Sequence, residues 1–165
     1  MLKEGDKVLY PLHGVGYLKS IEIQKAKNNS TLYYKIYIPA RRLEIYVPKE
    51  RAEKLGLRPI SSIKDFLSIC KKPYDYRVNL THPRDERKVI LEEKFKSGTL
   101  CNITQLARDL KYIYLTKTKI SVEEMGILKS AKEILENEIM MMKDISLKEA
   151  RLLLECKLFR FDSFE

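Results

Sequence analysis

Tryptophan is absent from this sequence, histidine occurs twice and cysteine three times. Cys70, Cys101 and Cys156 are scattered, odd in number and form no CxxC pair. That pattern argues against a structural zinc site and against a disulfide framework, and it suits free thiols in a reducing cytosol. No stretch approaches the roughly 20 apolar residues of a membrane span. The opening MLKEGDKVLY also lacks the apolar run of a signal peptide, so no membrane association and a cytoplasmic location are expected.

Catalytic motifs are missing as well. There is no P-loop and no HExxH, and Gly14-Val15-Gly16 is too short for a dinucleotide fingerprint. His13 lies in a Pro-Leu-His-Gly turn and His82 precedes a proline, neither beside a nucleophile it could activate. The chain is therefore expected to be no enzyme and to need no cofactor or metal. Glu92-Glu93 and Glu123-Glu124 read as solvated helix faces with basic neighbours.

Positive charge is what the sequence has in excess. Its 32 basic and 23 acidic residues give a net +9. The excess is uneven: 12 against 6 in residues 1–60, 13 against 7 in 61–119, and 7 against 10 in 120–165. A polyanionic partner is thus expected to meet the first two thirds of the chain.

Hydrophobic patterning divides the chain. Residues 7–10, 17–23, 32–38 and 43–47 alternate apolar with polar or are rich in aromatic and β-branched side chains, the signature of short strands. Pro11, Pro39 and Pro48 stop three of them. Gly14 and Gly16 around Val15 mark a place where backbone must pass close to backbone. Four or five such strands predict a small antiparallel barrel. Residues 49–56 predict a helical turn or two, and 57–60 a hinge.

From Ser61 onward the period is helical. Ser61 or Ser62 caps a helix to about Cys70, and residues 74–81 form a connector. A second helix starts near Pro83 and ends at Ser97-Gly98. Asn102 with Gln105, Ser121 with Glu124 and Ser146 with Glu149 are capping boxes for three more. The stripe through Met125, Leu128, Leu135 and Met142, with Ile127, Ile134 and Met141 beside it, predicts a bundle core, and the Met140-Met141-Met142 run reads as part of it. The fold class is α+β, a β-domain of residues 1–58 followed by an all-helical domain of about five helices over 61–165.

Gly5-Asp6-Lys7-Val8-Leu9-Tyr10-Pro11-Leu12-His13-Gly14-Val15-Gly16, with Ile21-Glu22 and Val47-Pro48, resembles the opening of the CarD/CdnL family of bacterial transcription regulators. The same module occurs in the transcription-repair coupling factor. Ser97-Gly98, Ala107-Arg108-Asp109-Leu110 and the run 128–135 resemble the family's helical domain in order and spacing. The resemblance implies a Tudor-like β-domain that binds the β subunit of bacterial RNA polymerase. It also implies a helical domain on promoter DNA at the upstream edge of the melted bubble, stabilising the open complex without reading a long sequence, in a monomeric, nucleoid-associated protein.

Carried onto these residues, the polymerase surface is the strand ending at Pro48, with Tyr46 as an aromatic anchor beside Val47 and with Lys25, Arg41 and Arg42 supplying charge. Gln24 and Tyr46 stand where some members have arginine. The DNA surface is Arg84, Arg87, Lys88 and Lys94 on one helix, with Lys111, Lys117 and Lys119 after it. Many members place a tryptophan at the start of that helix as a minor-groove wedge, and here the position falls at or next to Arg84. Two alternatives stand beside this reading. One is a polymerase adaptor without functional DNA contact. The other is an RNA-binding module stacking bases on Tyr33, Tyr34 and Tyr37.

Overall fold

The computed structural model describes residues 1–11, 13–26, 29–72, 82–116 and 120–159. It divides into two compact units, residues 1–60 with 96–98, and residues 61–95 with 99–165.

The first unit is built on two long strands. β2 (Gly14–Ala26) and β3 (Asn29–Ile38) pair antiparallel over most of their length, with a bulge between Leu18 and Ser20. β1 (Lys7–Tyr10) pairs with the start of β2, and β4 (Leu43–Pro48) with the end of β3. β5 (Arg58–Pro59) pairs with β1, giving the order β4-β3-β2-β1-β5. Part of the expected hinge at 57–60 is therefore a strand, too short for its alternation to be read from sequence. The sheet is Tudor-like, but β4 and β5 do not pair, so the expected barrel is left unclosed by its described strands.

Strand alternation places the core. Tyr34, Ile36 and Ile38 are buried on one face of β3 and pack with Val8, Tyr10, Leu18 and Val47. Burying a side chain such as Ile36 contributes roughly 1.5–3 kcal/mol. Ala52 and Leu57 complete the cluster from the segment after β4, where a single 3-10 turn (Lys49–Arg51) opens the stretch expected to hold a helical turn or two. Gly16 has no room for a side chain: a β-carbon would lie 2.3 Å from the Tyr37 carbonyl oxygen. That is the close backbone approach its spacing predicts.

The second unit shows five helices among its described residues: α1 (Ile63–Lys71), α2 (Arg84–Ser97, its last residues counted with the first unit), α3 (Leu100–Leu115), α4 (Val122–Lys143) and α5 (Leu147–Leu158). Capping boxes Ser62–Asp65, Ser121–Glu124 and Ser146–Glu149 start α1, α4 and α5. For α3 the cap is Thr99, whose hydroxyl accepts the Asn102 N–H at 3.2 Å. Asn102 is inside the helix rather than at its cap, because the helix begins as soon as Gly98 has turned the chain (φ +63). The expected connector 74–81 lies outside the described residues.

The core of this unit runs through Ile103, Leu106 and Leu110 of α3, Leu135 and Ile139 of α4, and Leu154 of α5. Met141 is buried in it while Met140 and Met142 are half-buried, and Met125 at the start of the expected stripe is 36 % exposed, so the buried line runs through Met141 rather than Met142.

Two charged groups organise the ends of these helices. Arg108 is buried and donates from Nη2 to the Cys70 carbonyl at 2.7 Å and from Nε to the Leu158 carbonyl at 3.4 Å. It thus satisfies the C-terminal carbonyls of α1 and α5, which otherwise lack partners. Glu138, fully buried on α4, accepts the Ser61 N–H at 2.8 Å and fixes the entry to the unit.

Candidate functional site

In the first unit β4 is an outer strand, laddered to β3 alone among the described strands. An outer strand presents unpaired N–H and C=O groups to which an incoming strand can add. Alternation assigns its side chains: Leu43 and Ile45 are half-buried toward the core, Val47 is buried, and Glu44 and Tyr46 are exposed. Val47 is therefore a core residue and supplies backbone rather than side chain to this edge, which corrects its expected role as a contact residue. Pro48 is half-buried opposite Tyr33 and begins the 3-10 turn.

Tyr46 is 42 % exposed and sits over the outer face of the sheet. Lys35 lies across the ladder from it, its Nζ 5.6 Å from the ring centroid and 3.3 Å from Glu44. The Tyr46 hydroxyl, followed by Glu44, holds the Lys35 ammonium above the usual lysine range. The sequence reading missed Lys35. Its signal was its place between Tyr33 and Tyr37 on the polar face of an alternating strand.

Arg41 and Arg42 are both exposed in the turn between β3 and β4, Arg42 with a left-handed backbone (φ 49). Burial, then the charge of Arg41, lowers the proton affinity of His13. The His13 ring lies 5.0 Å from that of Tyr10, and its Nδ1 is buried with no hydrogen-bond partner among the described residues. Lys25 is near the end of β2, and its side chain is outside the described set. Of the three tyrosines considered for base stacking, Tyr34 is in the core, its hydroxyl proton held more tightly by burial. That leaves Tyr33 and Tyr37 half-buried on the other face, with Lys19 over Tyr37 at 5.4 Å.

In the second unit the described members of the expected basic group do not share one surface. Arg84 opens α2, with its side chain undescribed, and Lys88 is exposed. Arg87 is 8 % exposed, and its Nε donates to Glu124 Oε1 at 2.6 Å. It is thereby removed from the set able to face a nucleic acid. Glu124, read as a solvated carboxylate, is buried by the same pairing. Lys94 is half-buried against Asp109, Leu110 and Ile113 of α3. Lys111 is two positions from both Asp109 and Ile113, about 200° around the helix, and lies instead 4.0 Å from Glu155 and over Phe159 at 5.4 Å. Lys117 and Lys119 are outside the described residues.

Two family descriptions match the chain: the CarD-like/TRCF RID domain over residues 2–61 and the CarD C-terminal domain over residues 78–155. A Bacillus subtilis (strain 168) protein described as "Putative transcription factor YdeB" is 24% identical over 151 residues, covering 92% of this chain and 98% of that protein. An N-terminal sheet with an open outer strand, a helical unit behind it in sequence, and both domain matches in that order lead to one conclusion: the chain belongs to the CarD family of RNA polymerase-interacting transcription regulators.

Proposed function

We propose that this protein is a non-catalytic, monomeric cytoplasmic regulator that binds the β subunit of RNA polymerase through β4. We further propose that its helical unit touches promoter DNA without reading sequence and modulates the stability of the open complex. The carrying observation is the outer position of β4 within the domain matched by the polymerase-interacting family. Tyr46 is the anchor of that edge, Pro48 ends it, and Lys25, Arg41 and Arg42 add positive charge around it. On the helical side the cations assigned to phosphate are Arg84 and Lys88, with Lys117 and Lys119 from the segment before α4. An arginine at the position of the family's tryptophan contacts phosphate or a narrow minor groove instead of wedging between bases. The test is capture of purified polymerase subunits by the full chain, alongside a Tyr46→Ala variant. Capture of β that weakens in the variant is expected, and no capture of any subunit would refute the reading.

A second reading, a polymerase adaptor with no functional DNA contact, is favoured by the charge of the helical unit. Its 19 basic and 17 acidic residues leave a net of only +2. Reversing Arg84 and Lys88 to glutamate decides between them: promoter opening that is unchanged supports the adaptor.

A further inference from the structure

The face of the sheet turned away from its core carries aromatic rings between cations. Alternation in β3 sends Tyr34, Ile36 and Ile38 inward and leaves Tyr33, Lys35 and Tyr37 on the opposite face. Tyr37 lies across the ladder from Tyr17, and all three outer tyrosines of β2 and β3 are half-buried. The bulge after Leu18 shifts the alternation of β2. Ile21 thereby packs against the core, opposite Tyr34, and Lys19 is left as the extra residue, its Nζ 5.4 Å from the centre of the Tyr37 ring.

Charge on this face is sorted as well. Its carboxylates are already met: Ser20 Oγ donates to Glu22 at 2.8 Å, and Lys35 Nζ lies 4.0 Å from Glu22 and 3.3 Å from Glu44. Lys19 has no carboxylate partner among the described residues, and Arg42 is exposed in the turn that follows β3. The sheet unit as a whole is net +7, from 13 basic and 6 acidic residues, so a polyanion complements it. Rings interleaved with cations on an open sheet suit one polyanion in particular. A single strand offers unpaired bases to stack while lysine or arginine takes its phosphates.

We propose that the outer face of the sheet, through Tyr33, Tyr37 and Lys19, binds single-stranded nucleic acid. Bases stack on the two tyrosines, and Lys19 leaves the Tyr37 ring for a phosphate. Its contact with the ring is weak at an exposed site and yields to a stacked base. A strand added along the β4 edge lies in the plane of the sheet, so this face stays open when that edge is occupied. The contact needs neither polymerase nor the helical unit.

Bases separate stacking from plain attraction to phosphate. The full chain is titrated against labelled oligomers of about twelve nucleotides, within the usual site size of such surfaces. They are oligo-dT, oligo-U and an abasic strand of the same length. Wild type is expected to bind the better of the first two at least about tenfold more tightly than the abasic strand. The preferred sugar tells melted promoter DNA from transcript, and either order supports the proposal. Tyr33→Leu and Tyr37→Leu are each expected to lose about tenfold on the base-bearing strand and nothing on the abasic one. Tyr33→Phe and Tyr37→Phe, which keep the ring, should bind like wild type. Lys19→Gln is expected to weaken every strand alike and to lower the salt slope by about 0.7, one phosphate contact on a single strand. Equal binding of abasic and base-bearing strands overturns the proposal. So does the absence of binding to any strand, and so do leucine variants that fold, by circular dichroism, and bind like wild type. Should neither leucine variant fold, the exposed Lys19 decides: Lys19→Gln with wild-type affinity overturns the proposal.

Discussion

The two units handle charge in opposite ways. All seven buried polar or charged side chains among the described residues, from Arg87 to Glu138, are in the helical unit, and the sheet's core is aliphatic with two tyrosines. The sheet unit holds 13 basic and 6 acidic residues, net +7, whereas the helical unit is close to neutral. A sheet covered on one face sorts side chains by alternation, so its charges go to solvent. Helices that meet end-on must satisfy terminal N–H and C=O groups, and here Glu124, Arg108 and Glu138 do so from within. The net charge of a segment consequently overstates what it can show a partner when part of that charge is structural.

Substitutions that exploit this contrast differ in size. Gly16→Ala forces a β-carbon against the Tyr37 carbonyl and should cost the sheet unit about 4 kcal/mol or more, read by chemical denaturation. Glu124→Ala strands a buried guanidinium and should cost about 3 kcal/mol. The paired replacement Arg87→Leu/Glu124→Leu leaves no stranded charge and loses only the Glu124 half of the α4 cap, so it should cost about 1 kcal/mol in the same measurement. If the single and double variants were equally destabilised, the cost would not come from a stranded interior charge, and the contrast between the units would fail.

Tyr46→Ala should leave stability almost untouched while weakening polymerase capture by about 1.4 kcal/mol, or tenfold. Equal binding of the variant would mean that the exposed ring takes no part.

The smallest effects are in pH. His13 binds its proton less tightly folded than unfolded, so the unfolded state takes up more protons as pH falls below about 6.5 and the sheet unit loses stability there. Hydrogen bonds from Ser62 and Ser146 lower the proton affinities of Asp65 and Glu149. The contribution of these caps to the helical unit is present above the ordinary carboxylate pKa values, near 4, and is lost only as pH falls further. Amide exchange followed from pH 7 to 4 should therefore show strands loosening before helices, and His13→Asn should remove that order.

The sequence made the elements plain wherever the rule was local. Alternation in β3 and the Ser121–Glu124 and Ser146–Glu149 boxes appear in the structure within a residue or two, while the expected Asn102–Gln105 box gave way to Thr99. β5 escaped because two residues carry no period, and its pairing with β1 joins positions about fifty apart in the chain. The candidate surfaces were legible in the same proportion. The edge strand could be read from alternation and Pro48, while Val47 was misassigned because a strand's last apolar residue looks alike whether it faces core or partner. The basic group fared worse. Arg87 and Lys88 are adjacent and equally charged, and only tertiary packing sends one inward.

Arg108 also constrains the order of assembly. It ties the last carbonyls of α1 to those of α5, groups almost ninety residues apart. On the ribosome the first helix of the unit is made long before its partner leaves the exit tunnel, so the Arg108 bond to the Leu158 carbonyl forms only after α5 has been synthesised. The helical unit therefore gains this tie late, and chains cut short before α5 lack its hold on the end of α1.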